Sequence, residues 1–102
     1  MGTMPGYARI TLEKSFIWVR FESVGRKERF NLLLRAFHSS FPLAVWDEQM
    51  KGWQLSRSKL SEVIKFCDRV FGPQHIRFQN YDTIVRSARQ LALKIDAVPA
   101  NN

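Results

Sequence analysis

Apolar and polar residues alternate along the first part of the chain, and this period of two predicts extended structure over about residues 8–22. The clearest stretch is "FIWVRFE", in which Ile17, Val19 and Phe21 occupy alternate positions. The polar residues 13–15 are compatible with a hairpin turn or with a bulge in one long strand, and the pattern leaves both open.

The spacing changes to that of a helix after this segment. Apolar residues then recur at i, i+3, i+4 and i+7, which predicts a helix over about Val24–Phe37 with Ser23 as its N-cap. A second apolar stripe begins at Leu60, and it predicts a helix that Ser58 caps and that the pair Gly72-Pro73 ends.

Short apolar segments surround the second helix. Between the two helices, "PLAVW" and "WQL" flank the polar run "DEQMKG", which predicts a hairpin with Trp46 and Trp53 close together. After the second helix, "HIRFQ" predicts a strand whose Ile76 and Phe78 point inward. Asp82 is then placed to cap a helix of about residues 83–95.

The order β-α-β-β-α-β predicts an α+β domain. We expect a small, mainly antiparallel sheet with two amphipathic helices on one face and an extra C-terminal helix. Residues 1–7 are expected to be a disordered N-terminus, 8–80 the folded domain, 81–96 the C-terminal amphipathic helix and 97–102 a tail.

Charge is the first indication of function. The chain has 16 Lys and Arg, ten of them Arg, against nine Asp and Glu, and its net charge is +7. Such an excess favours nucleic acid as the partner, and an acidic protein is the alternative. No apolar run is long enough to cross a membrane, the N-terminus has no apolar signal core, and there is one cysteine. These features predict a reducing intracellular compartment, cytoplasmic or nuclear (nucleoid).

The chain offers little catalytic chemistry. His38, His75 and Cys67 do not have the spacing of metal ligands, and no glycine-rich phosphate loop is present, so we expect no metal and no cofactor. The pair Asp47-Glu48 alone has the character of a magnesium-binding nuclease site. A binding module is therefore a better prediction than an enzyme.

Several basic residues lie where helices or turns begin. Lys51 and Gly52 are at the predicted hairpin tip, and "LSRSK" places bases and hydroxyl groups at the start of the second helix, where backbone N–H groups attract anions. The predicted DNA-contacting residues are Lys51, Gly52, Ser56, Arg57, Lys59, Lys65, Arg69, Arg26, Lys27, Arg29, Trp18 and Trp53.

The stretch over about residues 30–71 contains "FNLLLRAF", then "WD", "EQMKG", "WQL" and "KLSEVIKFCDRVFG". It resembles the HARP-type accessory domain of annealing helicases and the UvsW-type N-terminal domain of a phage recombination helicase; "VRFE" and "IKFCD" extend the likeness to about residues 8–80. The resemblance implies a domain that binds duplex or branched DNA beside a helicase motor or another repair protein. This chain contains no motor.

A second resemblance leads to a different ligand. The strand order is similar to that of the RNA-recognition motif, with "IWVRF" as its first-strand motif and "KGW" as the start of its third. That likeness implies a single-stranded nucleic acid or RNA stacked on open-face aromatics such as Trp18. The alternative for Trp18 is burial under the third helix. A module that docks an acidic protein partner is a further alternative.

Overall fold

The computed structural model describes residues 4–82. They form an α+β domain with a five-stranded, mostly antiparallel sheet and two helices, as the sequence predicts. In chain order the elements are β1 (Tyr7–Leu12), β2 (Phe16–Glu22), α1 (Lys27–Ser40), β3 (Val45–Asp47), β4 (Gly52–Ser56), α2 (Leu60–Phe71) and β5 (Ile76–Asn80). Short 3₁₀ turns lie over Arg57–Lys59 and Pro73–His75. The helix predicted for residues 83–95 and the tail lie outside the described residues.

The N-terminal extended segment is a hairpin. Glu13 makes the turn because its carboxylate accepts the backbone N–H groups of Ser15 and Phe16 at 2.8 and 3.1 Å. Ahead of the hairpin, the N–H of Met4 donates to the carbonyl of Val70 at 2.6 Å, so the chain is tied to α2 before β1 begins.

The strand order is β3-β4-β2-β1-β5, with β5 parallel to β1 and the other neighbours antiparallel. The predicted order βαββαβ starts from β2, and in this sheet β1 is an additional strand inserted between β2 and β5. The predicted βαββαβ order therefore describes only part of this topology.

The helices cover one face of the sheet. Alternate strand residues meet the apolar stripes of α1 and α2 there, in a core of Ala8, Ile10, Ile17, Val19, Phe21, Val24, Leu33, Phe37, Phe41, Leu55, Val63, Phe66, Cys67 and Phe71. Phe37 is its aromatic centre: its ring contacts those of Phe21, Phe41 and Phe66 at centroid distances of 5.2–5.7 Å. Both predicted stripes are confirmed, and the other sheet face carries the polar alternate positions.

Three local predictions are wrong. α1 begins at Lys27 rather than Val24 because Ser23 and Gly25 have positive φ values of 57° and 99°, which a right-handed helix cannot include. Ser56 rather than Ser58 acts as the cap, since its hydroxyl accepts the N–H of Ser58 at the 3₁₀ turn before α2. Phe78 lies on the helix-covered face beside Ile10, but it is 51% exposed rather than buried, because β5 is the last strand of the sheet.

Within residues 4–82, no helix has the length and apolar character that a membrane crossing requires.

Candidate functional site

Within residues 4–82, three arginines form a row across the face of the sheet that α1 and α2 leave uncovered. Arg9 of β1 is directly opposite Arg20 of β2 on one side and Arg77 of β5 on the other. Because neighbouring strands are about 4.8 Å apart, the row spans about 10 Å. Like charges directly opposite each other destabilise a sheet, so this arrangement has a cost that nearby groups must offset.

One carboxylate offsets part of that charge. Glu22 accepts two hydrogen bonds from Arg9, at 3.2 and 3.1 Å, and lies 3.3 Å from the guanidinium of Arg20. The guanidinium of Arg77 lies 4.1 Å from the centre of the Tyr7 ring, a cation–π contact. Three cations and one carboxylate leave this group with a net charge of +2.

A depression of about 230 Å³ lies beside the row. Its lining includes Arg9 and Arg20, together with Thr11 and Gln79, whose amide donates to the threonine hydroxyl at 3.2 Å. Gln49 and other residues of the β3–β4 hairpin complete it. The site therefore combines guanidinium groups, a hydroxyl and amides in a concave surface, a donor set suited to a phosphate group.

Trp18 lies next to this depression but is only 7% exposed. Its ring stacks on Tyr81 with centroids 5.1 Å apart, and its indole N–H donates to Asp47 at 3.0 Å. Of the two alternatives for Trp18, an exposed stacking surface and burial, the structure shows burial, since Tyr81 occupies one face of the ring. Phe16, 43% exposed beside it, remains on this face.

Most polar residues of the β3–β4 hairpin make hydrogen bonds within the protein. Asp47 accepts the N–H groups of Gln49 and Met50 at 3.0 and 3.2 Å, in addition to the indole of Trp18. Glu48 accepts the indole N–H of Trp46 at 2.9 Å and is paired with Lys51. The hydrogen bond from Lys51, followed by that from Trp46, lowers the pKa of Glu48 from its ordinary value of 4.5.

Lys51 and Gly52, at the hairpin tip, were predicted to contact phosphate, and the structure gives both residues a role within the hairpin. The ammonium of Lys51 is partly neutralised by Glu48, and Lys51 itself takes the left-handed conformation, with φ 55°. Gly52 is buried within β4, where an added Cβ would lie 3.2 Å from the carbonyl oxygen of Val19 on β2. The glycine therefore permits close strand packing, and it also lines the depression beside the arginine row.

The "LSRSK" corner also uses its donors within the protein. Arg57 donates its guanidinium to the carbonyl of Glu13 at 2.6 Å and its backbone N–H to the carbonyl of Ser15 at 2.8 Å. Lys59 lies 3.8 Å from Glu62. These bonds fasten the β1–β2 turn to the start of α2, so the corner, including the capping hydroxyl of Ser56, has a structural role.

The remaining predicted residues lie on the helical side. Lys65 and Arg69 are exposed on α2 beside a depression of about 220 Å³, and Arg26, Lys27 and Arg29 are exposed around the start of α1. Trp53 is half-buried. Its ring lies 4.4 Å from that of His38 and 5.2 Å from that of its cross-strand partner Trp46, which confirms the predicted tryptophan pair.

The fold does not bring the predicted basic clusters together. α1 follows β2 and α2 follows β4, and these neighbouring strands are antiparallel, so the helices begin at opposite ends of the sheet. The length of β2, six residue steps, separates the two ends by about 20 Å.

Arg9 and Arg77 were not among the residues predicted from the sequence, because each is the only charged residue of its own strand. The period of two predicts that their side chains point to the sheet face away from the buried residues. That the three arginines form a row depends on the strand order, which the period does not give. No grouping of three or more His, Cys, Asp or Glu that could hold a metal ion occurs in the part of the chain that the structure describes.

No protein-family model matches the chain, and no match is found among curated proteins or solved structures.

Proposed function

We propose that this domain is a non-catalytic DNA-binding module that contacts phosphate groups through the arginine row Arg9, Arg20 and Arg77. The row is the observation that carries the proposal. Guanidinium groups bind phosphate oxygens through paired N–H donors, and a nearby anion relieves the repulsion between opposed arginines. Glu22 supplies one negative charge for the three cations, and a phosphate supplies more.

The charge of the whole domain supports a polyanionic ligand over a single small anion. Residues 4–82 contain 13 Lys and Arg against eight Asp and Glu, a net charge of +5. Binding that releases counterions from a nucleic acid depends on the number of phosphates contacted and tolerates changes of sequence. We therefore expect affinity with little base specificity and a steep dependence on salt.

The environment of Trp18 favours duplex or branched DNA over a single strand. Single-strand binders present aromatic rings on which bases stack, and here Tyr81 is stacked on the indole. Phosphate contacts through the arginine row, on the face that α1 and α2 leave uncovered, are available to a duplex, whose bases stay paired. The likeness to helicase accessory domains agrees with this ligand, and a helicase motor or repair protein as partner is part of the proposal.

Fluorescence anisotropy with labelled duplex DNA, forked DNA, single-stranded DNA and RNA tests the proposal. Arg20→Gln removes one charge from the row, and Arg35→Gln removes one from the exposed side of α1, on the opposite face. The two variants have the same net charge, so they separate a local contact from a general field. Arg20→Gln should weaken binding and reduce the salt slope on duplex by about 0.9, the value for one phosphate contact.

Three outcomes contradict the proposal. Equal effects of Arg20→Gln and Arg35→Gln show that the row makes no special contact. Absence of binding to every nucleic acid at low salt favours the acidic protein partner instead. Strong quenching of tryptophan emission by single strands, with weak duplex binding, favours the RNA-type alternative.

A further inference from the structure

The edge strand β3 and the residues before it expose an unusual amount of apolar surface. Leu43 is 85% exposed, Val45 62% and Trp46 43%. All three lie within four consecutive positions, and we name them the β3 edge; Val45 and Trp46 are successive strand residues, so their side chains extend the apolar surface on opposite faces of the sheet. An exposed apolar surface next to unpaired strand backbone is a typical site of protein association.

Within residues 4–82, the outer backbone edge of β3 has no strand partner. β3 pairs with β4 on one side and is the terminal strand on the other. Edges are commonly protected by lysine or proline within the strand or by a very short strand; "VWD" has neither lysine nor proline, so the shortness of β3 and the charge of Asp47 are its only such protection. β3 is three residues long, so the apolar side chains must supply most of the association energy.

The distribution of basic residues along the chain permits a second copy of this chain to bind at the β3 edge. Residues 36–50 contain no Lys or Arg, the longest such interval in the chain. Two copies of net charge +7 repel each other across most other surfaces. The acidic residues of the interval bring little unpaired charge, because Asp47 holds the hairpin and Glu48 is paired with Lys51.

We propose that two copies associate by antiparallel pairing of their β3 strands about a two-fold axis normal to the sheet. Identical edges satisfy such an isologous contact, and the product is a continuous ten-stranded sheet. The axis keeps both uncovered faces on the same side. The two copies of β2, which carry Arg20, are then five strand spacings apart, about 24 Å. The dimer therefore presents two arginine rows to one ligand.

Sedimentation equilibrium or light scattering after size exclusion tests the pairing, without nucleic acid, over a range of concentrations. The wild-type mass should rise from that of the 11.9 kDa monomer toward twice that value. Val45→Lys puts a charge on the edge and should give a monomer at every concentration. Leu32→Lys is the control: it places the same charge at a 60% exposed leucine of α1, away from β3.

Circular dichroism confirms that each variant is folded. If Val45→Lys loses structure, Leu43→Lys replaces it, since that side chain is almost entirely exposed. A wild-type protein that stays monomeric at its highest soluble concentration overturns the proposal. So does a dimer that survives the β3 variants, or one that Leu32→Lys disrupts equally. Because no nucleic acid is present, the result is independent of the DNA-binding proposal.

Discussion

Replacing Asp47 by alanine tests whether the acidic pair of the β3–β4 hairpin is structural. Its carboxylate accepts three hydrogen bonds: from the indole of Trp18 and from the backbone N–H groups of Gln49 and Met50. Asp47→Ala removes all three. The neighbouring Glu48 also accepts an indole N–H, that of Trp46, but on an exposed surface. The adjacent carboxylates therefore form a matched pair.

The burial of the donors decides the magnitude. After the substitution, water can reach the N–H of Gln49, which is exposed, so that loss has a small cost. Trp18 is 7% exposed, and its N–H is left without a partner. An unsatisfied buried donor costs about 1–3 kcal/mol, so we expect a loss of about 2 kcal/mol in the free energy of unfolding. For a domain of this size that loss lowers Tm by about 8–16 °C.

Thermal and urea denaturation of Asp47→Ala, Glu48→Ala, Trp18→Phe and the double variant Trp18→Phe/Asp47→Ala measure the effect. Glu48→Ala should stay close to the wild type. In the Trp18→Phe background, Asp47→Ala should lose most of its cost, giving a coupling energy of about 1 kcal/mol or more. Equal effects of the two carboxylates, or additive effects in the cycle, would refute the assignment. Magnesium-dependent DNA cleavage that Asp47→Ala abolishes would support the nuclease alternative.

Three further predictions concern single residues. Gly52→Ala places a Cβ 3.2 Å from the carbonyl of Val19 and should destabilise the domain by about 1–3 kcal/mol in urea denaturation; unchanged stability contradicts the close strand packing. Burial raises the pKa of the Cys67 thiol to about 12, so Ellman's reagent at pH 8 should react with the unfolded chain and not with the native one. The pKa of Glu48, measured by NMR titration, should be below 4.5 and should rise in Lys51→Met. Because folding lowers this pKa, the contribution of the pair to stability is present above pH 4.5 and is lost as pH falls through the lowered value.

Local periodicity predicted the elements of this fold well. The stripe that includes Leu33 and Phe37 and the stripe that includes Val63 and Cys67 are both buried as predicted, because a helix places residues three and four apart on one face. The tryptophan hairpin was predicted for a similar reason, since strands on either side of a short polar run pair locally. Helix ends were less accurate, because the left-handed Ser23 has no sequence signal that distinguishes it from an N-cap serine.

The candidate site could not be predicted in the same way. Arg9, Arg20 and Arg77 belong to three strands, and they meet because β1 is inserted between β2 and β5. Strand order and register are non-local properties, which the period of a single strand does not contain. Similarly, Lys51 and Arg57 were predicted as phosphate contacts from their places near turns, and the structure gives both partners within the protein.

Chemical-shift mapping by NMR tests the central claim most directly, because it locates the ligand on the protein. A short DNA duplex is titrated into ¹⁵N-labelled protein, and the backbone amides and arginine Nε–H signals are followed. The largest shifts are predicted for Arg9, Arg20 and Arg77 and for Thr11 and Gln79 beside them. Shifts concentrated on α1 and α2, with the arginine row unchanged, would contradict the claim that the uncovered face of the sheet binds DNA.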